Sequence, residues 1–297
     1  MPKRRSIIGL VVSLTIAMLL AIAGSDGSVS VGGFPLFAIC GVVAFCVHWI
    51  AFVPAYIRRT EHFFDLTGSI AYVCVVISAW SGNSEGDFRS MLLCALVLIW
   101  SVRLGSFLFL RVRRAGQDDR FDRLKHDFLA FLMTWTLSGL WVFLTAAAAL
   151  AAATSATKSP LDAYLVIGSL VWLIGFCIEV IADRQKSVFR SKPENRDRFI
   201  SHGLWAWSRH PNYFGEITLW FGVAVIAYPV LSGWQMVTLS SPVFVWFLLT
   251  RVSGIPLLEA KAEKRWGDSE EYRRYRDRTS KLIPRPPKQT IGHDASA

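Results

Sequence analysis

Eight apolar runs of spanning or near-spanning length govern what this chain can fold into. They lie roughly at 7–23, 34–57, 64–80, 90–110, 128–152, 162–182, 211–228 and 234–251. A helix needs about 20 apolar residues to cross bilayer hydrocarbon, and lipid offers no partner to an open backbone group. The pattern therefore predicts an all-α, polytopic membrane bundle of seven or eight transmembrane helices. The charges between the runs set its orientation. Lys3, Arg4 and Arg5 precede the first run, and Arg58 and Arg59 follow the second. Basic stretches follow the fourth (Arg111 to Lys125), the sixth (Arg184 to Arg198) and the eighth, after Arg251. The alternate loops carry only Arg89 and Lys158. That bias predicts both termini on the cytoplasmic side. The first run has the basic start and small-residue AIAG exit of a secretory signal, but the eightfold charge alternation fits better with it retained.

The net charge of +10 is thus mainly a topology signal, helped by attraction to anionic lipid, and nucleic acid is not an expected partner. Cys40, Cys46, Cys74, Cys94 and Cys177 all sit in apolar runs with no CxxC pair or Cys/His cluster, so neither disulfides nor a metal site is expected. Residues 1–57 read as an N-terminal transmembrane hairpin turning at Gly24 to Gly33, residues 58–285 as the functional membrane domain, and 286–297 as a disordered, polar tail.

The densest chemistry lies in GLWAWSRHPNYFGEITLW, residues 203–220. Ser208 is placed to cap a helix whose first turn holds Pro211, where a missing N–H costs nothing. Asn212 and Glu216, four apart, share a face, with His210 and Tyr213 beside them and Gly215 between. An amide and a carboxylate at the mouth of a membrane helix are costly unless they hold a ligand; alternatively, Trp205, Trp207 and Tyr213 are part of an interfacial aromatic belt. Three other places carry similar weight. Asp65 lies within about one turn of the start of the third run, either as a helix-end acid facing the dipole or as a functional carboxyl. Glu179 and Asp183 are four apart near the end of the sixth, with Arg190 seven beyond Asp183: acids for ribose hydroxyls or adenine and a guanidinium for phosphate, or a juxtamembrane salt-bridge network. Arg103, inside the fourth run, is expected to pair with a carboxylate such as Asp65 or Glu179, while Arg111, Arg113 and Arg114 at its exit are anchors or phosphate ligands. No internal repeat of the transporter kind is present.

SRHPNYFGE, SGIPLLE and EEYRRYRDRTSKLIP, taken with FDLTG and RLGSFLFLRVRRAGQDDRF, resemble bacterial membrane proteins related to steroid 5-alpha-reductase, of the type known as DUF1295. The likeness runs from about residue 60 to 285. The RHPNY core is also similar to isoprenylcysteine carboxyl methyltransferases and phospholipid methyltransferases, which bind S-adenosylmethionine. The resemblance implies an NADPH-dependent reductase of a C=C bond in an enone-like lipid or steroid-like substrate. It implies a bacterial inner (cytoplasmic) membrane and a site facing the cytoplasm. By resemblance, Asn212 and Glu216 hold the nicotinamide end, Asp183 and Arg190 meet the adenosine and phosphate parts, Arg251 contacts the cofactor, and Arg111 and Arg114 fall in the family's basic segment. Asp65 falls where the steroid enzymes carry a Glu facing the substrate carbonyl. Their Tyr position holds Trp100, an indole that donates one hydrogen bond but cannot supply a proton as a phenol does. The alternative implied by the same core is an S-adenosylmethionine-dependent methyltransferase.

Overall fold

The computed structural model describes residues 3–115, 121, 122 and 124–287, without the side chains of 110–115. Its helices follow the apolar runs. They are α1 (Lys3–Gly24), α2 (Leu36–Ile57), α3 (Phe64–Gly82), α4 (Phe88–Ala115), α5 (Phe128–Ala153), α6 (Ala163–Ser191), the short α7 (Leu204–Trp207), and α8 (Pro211–Ala227). A two-residue β-hairpin, β1 (Ser30–Val31) and β2 (Phe34–Pro35), turns the chain between α1 and α2, with Gly32 and Gly33 both at positive φ. Among the described residues, eight helical segments are long and apolar enough to cross a membrane. The molecule is a polytopic helical bundle.

The last apolar run is not one regular helix. It is a 3₁₀ segment at Gly233–Ser240, then α9 (Ser241–Phe247), then a π-turn at Leu248–Val252, after which α10 (Ile255–Trp266) and α11 (Glu270–Arg278) follow. Gly233 and the Ser241–Pro242 pair explain why an apolar period alone does not give a straight span here. The sixth helix also runs further than its apolar core, so that Asp183 and Arg190 are helical.

The chain divides into two compact units, Met1–Gly168 with Val223–Ser241, and Ser169–Gly222 with Pro242–Ala297. The first is built around α5, which α1, α2, α3 and α4 all contact. Ala146 to Ala153 are buried throughout, small enough to let neighbours close on every side. α1 packs mainly on α5 and little on α2. Its outer face, including Val11, Met18 and Ile22, is exposed apolar surface of the kind lipid covers.

One of the two basic residues in the alternate loops proves structural. Arg89, at the start of α4, is 1% exposed. Its guanidinium donates to the Ile226 carbonyl at 2.6 Å, the Pro160 carbonyl at 3.1 Å and Asp162 Oδ2 at 2.8 Å. Asp162 Oδ1 in turn accepts from Leu165 N–H at 2.9 Å, capping α6. One side chain thereby joins the ends of three helices. Replacing Arg89 with Met is expected to cost about 3 kcal/mol, because Asp162 and two carbonyls lose a buried partner; the check is a lower thermal-unfolding midpoint in detergent, with Lys158→Met unchanged.

Candidate functional site

In the second unit, α6 and α8 touch backbone to backbone. A methyl group on Gly215 would lie 2.6 Å from the Gly175 carbonyl oxygen and 2.7 Å from Glu179 N. One on Gly175 would lie 2.5 Å from Leu219 N. Only glycine at both positions permits this approach. It brings the turns of α6 that carry Glu179 and Asp183, both buried, against the start of α8. Asn212 Nδ2 donates to Asp183 Oδ1 at 3.3 Å. Asn212 Oδ1 is buried without a hydrogen-bond partner among the described residues.

The start of α8 is held by residues far along the chain. Ser208 does not cap it in the expected way. Its hydroxyl accepts from His210 N–H at 3.1 Å and donates to the Leu282 carbonyl at 2.7 Å, so it ties the C-terminal segment to the helix start. Arg209 N–H donates to the Ser280 carbonyl at 2.8 Å, and Arg285 N–H to the Trp207 carbonyl at 3.0 Å. Trp205, offered as belt residue, is instead buried: its indole N–H donates to the Ala182 carbonyl at 3.0 Å, and the Trp205 carbonyl accepts from Tyr275 OH at 2.8 Å. Trp207 is exposed, as a belt residue would be.

α10 delivers the residue that the sequence reading did not single out. Glu259 bridges two neighbours: Arg209 Nη1 lies 2.6 Å from Oε2 and His210 Nε2 lies 2.7 Å from Oε1. The His210 ring stacks nearly parallel on Tyr213, with centroids 5.8 Å apart. Two further buried atoms here have no partner among the described residues, Arg209 Nε and His210 Nδ1. Glu259 stands in the first turn and a half of a basic helix, LLEAKAEKR. That acid was a visible signal, but its partners lie fifty residues back, beyond what local spacing reveals.

The other expected residues fall in different settings. Arg190 ends α6 and is exposed. Arg251 is exposed on the π-turn, a distortion that recurs at functional positions. The following Gly254 lets the Tyr213 ring approach, since a methyl group there would lie 2.9 Å from Tyr213 Cε2. Glu216 is half-buried, one turn beyond Asn212. The side chains of Arg111 and Arg114 lie outside the described residues. In the first unit, Asp65 sits half-buried in the first turn of α3. Trp100 is buried and meets the Tyr72 ring edge to face at 5.1 Å. Tyr72, two turns beyond Asp65 on the same helix, puts a phenol beside the indole that occupies the expected phenol position. Arg103 places its guanidinium over the Phe107 ring.

A family model described as "Protein of unknown function (DUF1295)" matches residues 51–279. The chain belongs to that family. Two curated relatives share parts of this DUF1295 protein. A probable O-methyltransferase, ustE, of Ustilaginoidea virens is 28% identical over 131 residues, 44% of this chain and 43% of its own length. The 3-oxo-5-alpha-steroid 4-dehydrogenase 1 of Bos taurus is 32% identical over 73 residues, 25% of this chain and 28% of its own length. The chain thus spans less than half the length of either. No solved structure matches it. The DUF1295 chain is therefore partly similar both to a 3-oxo-5-alpha-steroid 4-dehydrogenase and to a probable O-methyltransferase.

Burial pulls the His210 pKa below the usual 6.5; the nearby Glu259 carboxylate pushes it partly back up, and Lys186 and Arg209 oppose that. The unfolded chain therefore takes up the proton first as pH falls. This histidine's contribution to stability is complete above about pH 6.5 and declines as the pH drops below that value. Thermal unfolding of the DUF1295 protein between pH 7.5 and 5.5 should show that loss, and His210→Gln should flatten it.

Proposed function

We propose that this chain is a membrane reductase that binds NADPH and reduces the C=C bond of an enone-like lipid. The observation that carries the reading is the Asn212 carbonyl oxygen, buried without a partner while its amide nitrogen is committed to Asp183. A buried acceptor left open is costly unless a ligand donates to it, and the carboxamide of nicotinamide is such a donor. Similarity to a steroid dehydrogenase supports the same choice.

On this reading Asn212 and Glu216 hold the nicotinamide end, with His210 and Tyr213 alongside. Glu179, Asp183, Arg190 and Arg251 serve the ribose and phosphate parts, and Arg111 and Arg114 add positive charge. Bound there, NADPH supplies a hydride to the β carbon of the conjugated carbonyl. Asp65, in its protonated form, donates a hydrogen bond to the carbonyl oxygen and stabilises the charge that develops on it. Trp100 adds shape and at most one N–H, so the α-carbon proton comes from water. The loops on the site side face the cytoplasm, as do both termini, and the membrane is the bacterial cytoplasmic one. The alternative is methyl transfer from S-adenosylmethionine to a lipid. It is favoured by the longer match, to a probable O-methyltransferase.

Titrating detergent-purified protein with each cofactor separates the two. Saturable NADPH binding that Asn212→Ala weakens about tenfold, the worth of one buried hydrogen bond, is the expected result; saturable S-adenosylmethionine binding without NADPH binding would reverse the choice. Asp65→Asn should abolish turnover and leave NADPH affinity within about twofold, whereas equal loss of both would place Asp65 in the cofactor site or the scaffold.

A further inference from the structure

We infer that Glu259 is a positioning residue: it fixes which His210 ring nitrogen carries hydrogen, and so leaves Nδ1 as an acceptor for the NH₂ of a primary carboxamide. This rests on the nicotinamide reading above and adds the group that tunes it. An ionised carboxylate can only accept hydrogen bonds. With Glu259 Oε1 at 2.7 Å, His210 Nε2 must be the nitrogen that carries hydrogen. Burial keeps the ring neutral, which leaves a lone pair on Nδ1. Nδ1 has no partner among the described residues, and His210 is only 5% exposed.

Two residues on, Asn212 offers a second open acceptor, Oδ1, because Asp183 occupies its amide nitrogen. Arg209 contributes the one open donor, Nε–H. Arg209 Nη1 on the other Glu259 oxygen and the parallel stack of His210 on Tyr213 stop the ring from turning. A neutral amide at 259 removes that command. It can donate to Nε2, shift the ring proton to Nδ1, and set a donor against a donor.

The test uses the full chain in detergent and reads cofactor binding. NADPH is compared with its reduced 3-acetylpyridine analogue, which keeps the carbonyl and lacks the NH₂. The unsubstituted protein should bind NADPH more tightly. Glu259→Gln should lose about tenfold for NADPH and little for the analogue, removing the preference, and Glu259→Asp should restore part of it. Equal loss for both ligands would mean that Glu259 only supports the fold, and the inference would fall with the cofactor reading intact. Should the unsubstituted protein bind neither dinucleotide, the cofactor reading itself fails, before any substitution is made. Nitrogen-15 NMR of histidine-labelled protein gives a check that needs no variant: His210 should carry its proton on Nε2, and the opposite tautomer overturns the inference.

Discussion

The contact between α6 and α8 at Gly175 and Gly215 is the constraint on which the candidate site depends. Two helix backbones meet there with no side chain between them, so the residues one and two turns along α6 face the first turn of α8 directly. Glu179 and Asp183 gain their burial from this approach, and Asn212 gains its partner. A bilayer supplies little hydrophobic drive between helices, so close packing of small residues carries more of the association than it would in water. The same logic recurs in the first unit, where a run of alanines on α5 lets four helices close around it.

Much of this was legible in the sequence, for a physical reason. Membrane helices announce themselves through length and hydropathy, and the eight apolar runs map onto the observed segments within a few residues for most of them. The four-residue spacings of Asn212 with Glu216 and of Glu179 with Asp183 also translate directly into shared helix faces. Hydropathy fails where backbone geometry, not composition, decides. The run at 234–251 is apolar throughout, yet it is built from 3₁₀, α and π turns. Long-range pairings were the other blind spot. Glu259 with Arg209 and His210, Ser208 with Leu282, and Arg89 with Ile226 and Asp162 join residues 49 or more apart in the chain. Arg89 shows the hazard well, since charge counting sees it only as an exception to the bias between loops, whereas it serves as a bolt between helix ends.

The two curated relatives catalyse different reactions by name, and this chain is partly similar to each. The structure suggests how one scaffold suits both. On the reading proposed above, the acids on α6 and the anchored helix start on α8 hold the large polar cofactor. On that reading, the atoms available to tell a carboxamide from an ammonium or a sulfonium are Asn212 Oδ1, His210 Nδ1 and Arg209 Nε, each without a partner among the described residues. Specificity of this kind is changed by few substitutions, because leaving one buried polar atom unmatched already costs a sizeable fraction of a ligand's affinity.

The pairing of the C-terminal segment with residues 207–209 has a consequence for biosynthesis. Ser280, Leu282 and Arg285 leave the ribosome some seventy residues after the helix start that they secure. Glu259 follows its own partners by fifty. The helix bearing Asn212 is therefore made with its polar mouth untethered, and that mouth is secured only once residues 280–285 have followed. A nascent chain halted before that point is an inserted but unassembled protein, with a histidine and an arginine that have yet to meet their acid.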